Sequence, residues 1–297
     1  MYVPGWIDDP QAVAVVAATL TYPTFGATPA GQVLDGDLPK SVYLWDAYRK
    51  LFGRLPEKKN QKSVGSCVSF GTNNAVERTM AIEIAVFGEA EVFQPLVEEV
   101  TYGGSRVEVG GGRISGDGSV GAWAADFVRK WGVVARGKYG LYDLSRYDES
   151  RCRDFGRNGV PAELETEAKL HPIKETTLVK TTGELKRSLA SGYGVAVCSN
   201  QGFSMQRDER GVARASGSWA HCMCIDGYHD ADDGRSYYHI ENSWGPDAHT
   251  GPTGWGDPGT GGFWADEQTV SRMLSQGDTW AFAGVAGFPA RQLTHLI

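Results

Sequence analysis

The sequence lacks an excess of basic residues, a long apolar run and an N-terminal secretion signal. Its 297 residues include 29 Lys and Arg against 36 Asp and Glu, so no surplus of cations exists to neutralise phosphates. The apolar run at 12–20 is about half of the ~20 residues that a membrane-spanning helix needs. Asp8 and Asp9 stand before it, where a secretion signal would carry positive charge. We therefore expect neither a nucleic-acid partner nor a membrane.

Cysteines are few, and they show no regular spacing: Cys67, Cys152, Cys198, Cys222 and Cys224. An odd, irregular set does not suggest a disulfide framework, so we expect a reducing, cytoplasmic compartment. Cys222 and Cys224 flank one strand beside His221, but zinc sites usually use tighter cysteine pairs together with a second pair or histidines. We interpret both as core residues and expect no metal and no cofactor.

Two stretches of the N-terminal half have helical periodicity. Apolar residues recur at spacings of three and four between 66 and 87, and Gly88 follows as a stop signal. A second apolar face extends over 120–131. Residues 97–118 are rich in glycine and are predicted to form a loop, and 137–161 are predicted to be irregular.

The C-terminal half is dominated by strand patterns. Short apolar or aromatic runs predict strands at 195–198, 221–228, 237–244 and 280–288. A possible capping box at Thr181 begins a predicted helix that ends at Ser191, and a late helix is predicted to end at Gly277. The predicted fold class is α+β.

The composition divides the chain into three parts. Residues 1–37 are predicted to form an extended arm, anchored by Trp6, Tyr22 and Phe25, that lies against the body or a partner. Residues 38–155 form a helical half that carries the cysteine helix. Residues 156–297 form a mostly β half.

One stretch, residues 60–70, places Cys67 at the start of the first predicted helix. The helix dipole at that position favours the thiolate, which is a nucleophile. His221 stands at the head of a predicted strand, and Asn242 follows 21 residues later at the end of the next strand. Neighbouring strands can bring these two side chains together, so that an amide oxygen fixes the orientation of the imidazole.

The order Gln61, Cys67, His221 and Asn242-Ser243-Trp244-Gly245 resembles that of the papain-like cysteine peptidases. Weaker similarity extends over residues 38–288. Val64 and Val68 stand where well-known members have a half-cystine and a tryptophan, which is similar to a disulfide-poor bacterial or phage-type branch. The resemblance implies a two-domain fold, with a helical left domain, a β-barrel-like right domain and a cleft between them.

Carried over residue by residue, the resemblance implies that Cys67 is the nucleophile, His221 its base and acid, and Asn242 the residue that orients His221. The Gln61 amide and the Cys67 backbone N–H would form an oxyanion hole. Lys62 stands where glycine usually follows that glutamine, and would crowd or charge the cleft. The residues implied to line the substrate cleft are Gly118, Ser119, Ala220 and Trp244.

The leading hypothesis is a cysteine endopeptidase that hydrolyses peptide bonds through a thioester acyl-enzyme. An alternative is a papain-like fold that serves as a structural or adaptor component of a larger assembly such as a virion, contacting other subunits through the arm. A third hypothesis keeps the chemistry but takes peptidoglycan cross-links as substrate; the Asn-Ser-Trp-Gly motif favours ordinary peptides. The expected partner is a protein or peptide substrate.

Overall fold

The computed structural model describes residues 3–33, 38–88 and 93–284. Its N-terminal half is mainly helical. Short 3₁₀ turns occur at Phe25–Ala27 and Ala30–Gln32, and a π-helical turn occurs at Ser105–Val109. The elements of this half are α1 (Pro10–Ala17), β1 (Ser41–Tyr43), α2 (Trp45–Phe52), α3 (Cys67–Phe87), α4 (Glu98–Gly104) and α5 (Gly121–Lys130).

The C-terminal half contains one large antiparallel sheet, ordered β4-β9-β5-β6-β7-β8, with β1 also paired to β6. Its strands are β4 (Glu175–Leu178), β5 (Val195–Arg207), β6 (Ala213–Asp230), β7 (Ser236–Glu241), β8 (Gly262–Asp266) and β9 (Asp278–Ala283). A small ribbon, β2 (Lys138–Tyr139) with β3 (Tyr142–Asp143), stands apart from this sheet. The helices are α6 (Glu149–Asn158), α7 (Ala162–Ala168), α8 (Thr182–Ala190) and α9 (Glu267–Leu274).

The α+β prediction is confirmed, but the β-barrel-like right domain is a wrong detail. Within the described residues β4 and β8 are the two ends of the sheet and are not paired with each other, so the sheet does not close into a barrel. The predicted last strand is present as β9 up to Ala283; residues 285–288 lie outside the described residues. No helix in the described part of the chain combines the length and apolar character needed to cross a bilayer.

The two long predicted helices and the capping box are confirmed, but two loop predictions are wrong. Residues 97–118 contain α4 and the π-helical turn, and 137–161 contain α6. The glycine-rich part from 110 to 118 does lie in turns and bends, whereas two glycines of α4 permit close packing. A Cβ on Gly104 would lie 2.0 Å from the Phe127 ring, and a Cβ on Gly103 would lie 2.9 Å from Phe155. A glycine in a close helix contact thus produces the same sequence pattern as a turn.

Helix α3 connects the helical half to the sheet, and most of its residues are buried. Gly71 lies so close to β6 that an added Cβ would meet the Cys222 sulfur at 2.9 Å. Farther along α3, Arg78 donates to the buried Asp226 carboxylate of β6 at 2.8 Å. These contacts fix the start of α3 against the strand that carries His221. One apolar core includes residues of both halves. It therefore marks no boundary at residue 155, and the division there stays a prediction.

Candidate active site

Cys67 is the first residue of α3, and its side chain is fully buried. Burial raises the pKa of the Cys67 thiol, whereas the backbone amides of Cys222, Gly5 and Val68 act in the opposite direction. Desolvation disfavours the thiolate more strongly than these dipoles favour it. Burial thus opposes the effect of the helix dipole and favours the neutral thiol in this state.

His221 and Asn242 meet as predicted, since His221 lies on β6 and Asn242 directly follows β7. The His221 Nε2 and Asn242 Oδ1 atoms are 2.9 Å apart. The same amide oxygen accepts from the Ser243 backbone N–H at 2.7 Å, which fixes which end of the amide faces the ring. His221 therefore carries its proton on Nε2. Its Nδ1, buried and without a hydrogen-bond partner among the described residues, is left as the basic nitrogen.

His249 extends this network, although the sequence interpretation gave it no role. Its Nε2 accepts from Asn242 Nδ2 at 2.9 Å, and its Nδ1 donates to the Ser204 carbonyl at 2.9 Å. The residue is fully buried and has a left-handed φ of 51°. Its spacing of seven residues from Asn242 is no recognisable pattern, so only the tertiary structure places His249 in the hydrogen-bond network around Asn242.

Trp244 packs against the imidazole of His221. The ring centroids of His221 and Trp244 are 4.5 Å apart, at an interplanar angle of 33°. Trp219 lies near both rings, with its centroid 4.7 Å from that of Trp244 and 6.3 Å from that of His221. An aromatic wall of this kind excludes water from the His221–Asn242 hydrogen bond and strengthens it.

Gln61 is held by contacts to both halves of the molecule. Its backbone N–H donates to the Ser243 carbonyl at 2.8 Å, and its side-chain Oε1 accepts from Ser243 Oγ at 2.6 Å. The preceding lysines fix the loop: Lys59 contacts Glu77 and Glu98 of the helical half, and Lys58 contacts Glu241 of β7, each at 2.6 Å. The Gln61 side-chain Nε2 donates to the Val64 carbonyl of the same loop at 2.9 Å.

Residues Val3–Ile7, here called the strap, lie across these groups. The Gly5 and Trp6 amides both donate to the Ala220 carbonyl at 2.9 Å. Ser119 pairs with the strap in parallel: its amide donates to the Gly5 carbonyl at 2.8 Å, and its carbonyl accepts from the Ile7 amide at 2.9 Å. The Val3 carbonyl accepts from Gln61 Nε2 at 2.8 Å. The predicted arm thus lies against the body, at the site itself, and α1 follows the strap.

The predicted cleft residues differ in how they meet the strap. Ser119 and Ala220 bind it through backbone groups, whereas the Gly118 amide and carbonyl are taken by Tyr102 and Arg106. Gly118 still lies beneath the strap, since a Cβ there would be 3.0 Å from the Gly5 carbonyl oxygen. Of these two neighbours, Ser119 is therefore the one whose backbone pairs with the strap.

Lys62 neither crowds nor charges the cleft, contrary to the sequence-based expectation. It is exposed, its φ is 56°, and its ammonium lies 4.0 Å from the Glu149 carboxylate on the surface. A positive φ is the physical reason why glycine suits this position.

We expect Lys62→Gly to stabilise the protein by roughly 0.5–1 kcal/mol, because it removes left-handed strain at the cost of one weak surface ion pair. Urea denaturation measures the change. Lys138→Gly is the matched control: this exposed lysine has a negative φ, so its replacement should destabilise. A destabilising Lys62→Gly would show that the position carries no strain.

Burial lowers the pKa values of His221 and His249 to about 4. Their unfolded value is near 6.5, so the unfolded state binds more protons below that pH. Their contribution to stability is complete above about pH 6.5 and is lost as the pH falls towards 4. Each group contributes a slope of about 1.4 kcal/mol per pH unit within this window.

The difference between the wild type and His249→Gln isolates one of these titrations. The free energy of unfolding of His249→Gln, measured in urea between pH 7 and 4.5, should fall less steeply with decreasing pH than that of the wild type. Parallel curves would show that His249 is not held neutral by the fold.

Residues 44–261, which make up most of the chain, match the family model described as papain family cysteine protease. The chain belongs to the papain family of cysteine proteases. Cysteine proteinase 2 of Entamoeba histolytica is 24% identical over 214 residues, covering 70% of this chain and 59% of that protein. The probable cysteine protease RDL3 of Arabidopsis thaliana is 25% identical over 234 residues, covering 77% and 54%. The chain thus spans little more than half the length of these papain-family relatives.

Solved structures of papain-family proteins share the fold. Xylellain, a cysteine protease from Xylella fastidiosa, superposes with a TM-score of 0.63 at 18% identity, covering 95% of this chain and 96% of that one. Digestive procathepsin L 3 of Tenebrio molitor gives a TM-score of 0.56 at 17% identity, with coverages of 92% and 78%. At these identities the likeness concerns the fold.

One cluster of potential metal ligands occurs elsewhere in the described part of this papain-family chain: Asp226, His239 and Glu241, all buried. Arg78 pairs with Asp226 and Lys58 pairs with Glu241, so two cations already balance the two carboxylates. His239 Nδ1 lies 2.6 Å from Asp226 Oδ1. We assign this cluster to the ion pairs that join α3 and the Gln61 loop to the sheet. Cys222 and Cys224 are buried thiols of the core, as predicted.

Proposed function

We propose that the protein is a cysteine endopeptidase with Cys67 as nucleophile. One observation carries the proposal: the groove beside Cys67 already binds an extended peptide, the strap, through backbone groups. The carbonyl of Val3 in that peptide meets the Gln61 amide, as a substrate carbonyl would. An extended peptide held by backbone pairing is the usual way in which a groove binds peptides of varied sequence.

The proposed reaction begins when the Cys67 thiol transfers its proton to His221 Nδ1. The thiolate attacks the substrate carbonyl carbon, and the C=O electron pair moves to oxygen, where the Gln61 amide and the Cys67 N–H stabilise it. Collapse of this intermediate breaks the C–N bond, and His221 gives its proton to the departing amine. Water then attacks the thioester with His221 as base, releasing the acid and restoring the thiol.

Asn242 and Trp244 act through His221. Asn242 keeps the Nε2–H tautomer, so that Nδ1 is available to accept the thiol proton. Trp244 covers the His221–Asn242 pair. His249 fixes the amide of Asn242 in turn.

In the state described here the site is closed. Among the described residues there is no hydrogen bond between Cys67 and His221, and the Gly5 amide lies close enough to the sulfur to affect its pKa. We infer that the strap must leave the groove before substrate binds. The proposed enzyme is therefore latent while residues Val3–Ile7 are docked.

Alkylation by iodoacetamide at neutral pH, followed by peptide mapping, tests the nucleophile. All five cysteines are buried. Release of the strap should make Cys67 accessible, so iodoacetamide should modify Cys67 while the other four stay unmodified. Trp6→Ala, which weakens the binding of the strap, should be alkylated at Cys67 faster than the wild type. If another cysteine is modified in that variant while Cys67 is not, the peptidase proposal loses its basis.

The alternative of a structural or adaptor component predicts a different result. Size-exclusion chromatography with light scattering would then find an assembly, and no peptide would be hydrolysed. Within the described residues the strap is already bound by its own chain. We therefore favour the peptidase, for which a monomer with hydrolytic activity is the expected outcome.

A further inference from the structure

Cys222 follows His221 on β6, and the proposed reaction makes no use of its thiol. Its sulfur lies against α3 one turn beyond Cys67, where a Cβ added to Gly71 would meet it at 2.9 Å. Residues one turn apart lie on the same face of a helix. The Cys222 sulfur therefore occupies the face of α3 that carries the nucleophile, and Gly71 leaves the space for it.

The main chain of Cys222 also reaches the nucleophile. Its backbone amide donates a hydrogen bond to the Cys67 sulfur, and each thiol lies within range of the charge that the other would carry. A disulfide requires two cysteines whose main chains are closely spaced. The hydrogen bond from the backbone of one cysteine to the sulfur of the other provides that spacing.

The remaining cysteines are placed less favourably towards the nucleophile. Cys198 stands directly opposite Cys222 on the neighbouring strand β5, and its thiol faces the Cys222 thiol. Cys224 lies two residues farther along β6, and Cys152 packs in a separate apolar cluster. The sulfur next to Cys67 is therefore that of Cys222, and Cys198 stands behind it.

These thiols are free and buried in the state described here. The strap contributes to that burial, because the Gly5 amide also reaches the Cys67 sulfur. When the strap leaves the groove, Cys67 is the first sulfur that a small solute meets, and Cys222 stays behind it. A hydroperoxide then reacts at Cys67, since the thiolate that forms with His221 is the nucleophilic form of the thiol.

We infer that Cys222 is a resolving cysteine, so that oxidation of Cys67 by a hydroperoxide ends in a disulfide between Cys67 and Cys222. The inference rests on the proposed role of Cys67 as nucleophile and describes regulation of that same site. The disulfide holds the nucleophile in a form that a thiol reductant restores, whereas an unresolved sulfenic acid is oxidised further to sulfinic acid, which thiols do not reduce.

The reaction has two steps. The Cys67 thiolate attacks one peroxide oxygen, the O–O bond breaks, and the departing hydroxide takes up the thiol proton, which leaves a sulfenic acid and water. The Cys222 sulfur then attacks the sulfenic sulfur; the S–S bond forms, the S–O bond breaks, and hydroxide leaves with the Cys222 proton as a second water. Two thiols are thus oxidised by two electrons, and the peroxide is reduced to water.

The test treats full-length Trp6→Ala, in which the strap is weakened, with a slight excess of hydrogen peroxide. Free thiols are then blocked with iodoacetamide and the peptides are mapped without reduction. The main product should be the peptide pair joined through Cys67 and Cys222. Peptide hydrolysis should fall by at least about 10-fold and return almost fully with dithiothreitol. A bridge from Cys67 to Cys198, or sulfinic acid at Cys67 without any bridge, would overturn the inference.

Cys222→Ala in the Trp6→Ala background removes the resolving thiol. The same dose of peroxide should leave Cys67 as sulfinic acid, and dithiothreitol should restore about 10-fold less activity than in the parent, each relative to its own untreated rate. Cys224→Ala is the matched control, since this thiol is equally buried on the same strand, and it should recover as the parent does. Equal recovery of the two variants would exclude Cys222 as the resolving residue. If Cys222→Ala does not fold, the peptide map of Trp6→Ala decides by itself.

Failure of this inference can be told from failure of the proposed function. Hydrolysis by Trp6→Ala without a bridge between Cys67 and Cys222 after peroxide overturns the role of Cys222 and leaves the peptidase intact. The bridge without any hydrolysis before peroxide supports the resolving pair and counts against the peptidase. Absence of hydrolysis together with absence of both oxidation and alkylation at Cys67 overturns both.

Discussion

Gly5→Ala increases the rate of peptide hydrolysis by the full-length protein by about 100-fold or more. The reason is steric, because a Cβ on Gly5 would lie 2.0 Å from the Gly65 carbonyl oxygen and the strap cannot stay where it is. Four backbone hydrogen bonds join the strap to Ser119 and Ala220. Each is worth about 1 kcal/mol net, so losing three of them shifts the docking equilibrium by roughly two orders of magnitude.

The control is Asp8→Ala, an exposed position just beyond the strap. It should leave the rate within about two-fold of the wild type. Initial rates with a fluorogenic peptide, combined with the rate of Cys67 alkylation, give two independent readouts of strap release. If Gly5→Ala were no more active than the wild type while remaining folded, the strap would not be what limits access to the site.

Cys67→Ala, introduced into the Gly5→Ala protein, abolishes hydrolysis, with a loss on the order of 10⁵- to 10⁶-fold. Removing the nucleophile removes the whole acyl-enzyme route and not one stabilising contact, so the effect greatly exceeds that of losing one oxyanion donor. The fold should persist, because alanine fills most of the space of a buried thiol. A melting temperature close to that of the parent shows that the loss is chemical.

Cys224→Ala is the matched control, since Cys224 is also fully buried but lies deeper in the core on β6. Its activity should stay within a few-fold of the parent. Comparable activity in the two variants would show that Cys67 is not the nucleophile.

Much of the site could be predicted because its residues belong to short sequence motifs. Gln61 and Cys67 stand six residues apart at the start of one helix. His221 lies within β6, and Asn242 directly follows the neighbouring strand β7. Local patterning also predicts α3, α5 and the capping box at Thr181, because each depends on residues that are close in sequence. The loop prediction for 97–118 extended too far, since only the glycine-rich part from 110 onwards lies in turns; Gly103 and Gly104 belong to α4, and the partners that require a glycine there lie on other helices.

The sequence by itself determined the α+β class, the identity of the nucleophile candidate and the residues that surround it. Only the tertiary structure decided the state of that site. The strap and His249 reach it through contacts that have no local pattern, since the strap binds Gln61 and Ala220, and His249 binds Asn242. Burial also raises the pKa of the Cys67 thiol, because desolvation depends on everything that packs around the sulfur and not only on the start of its helix.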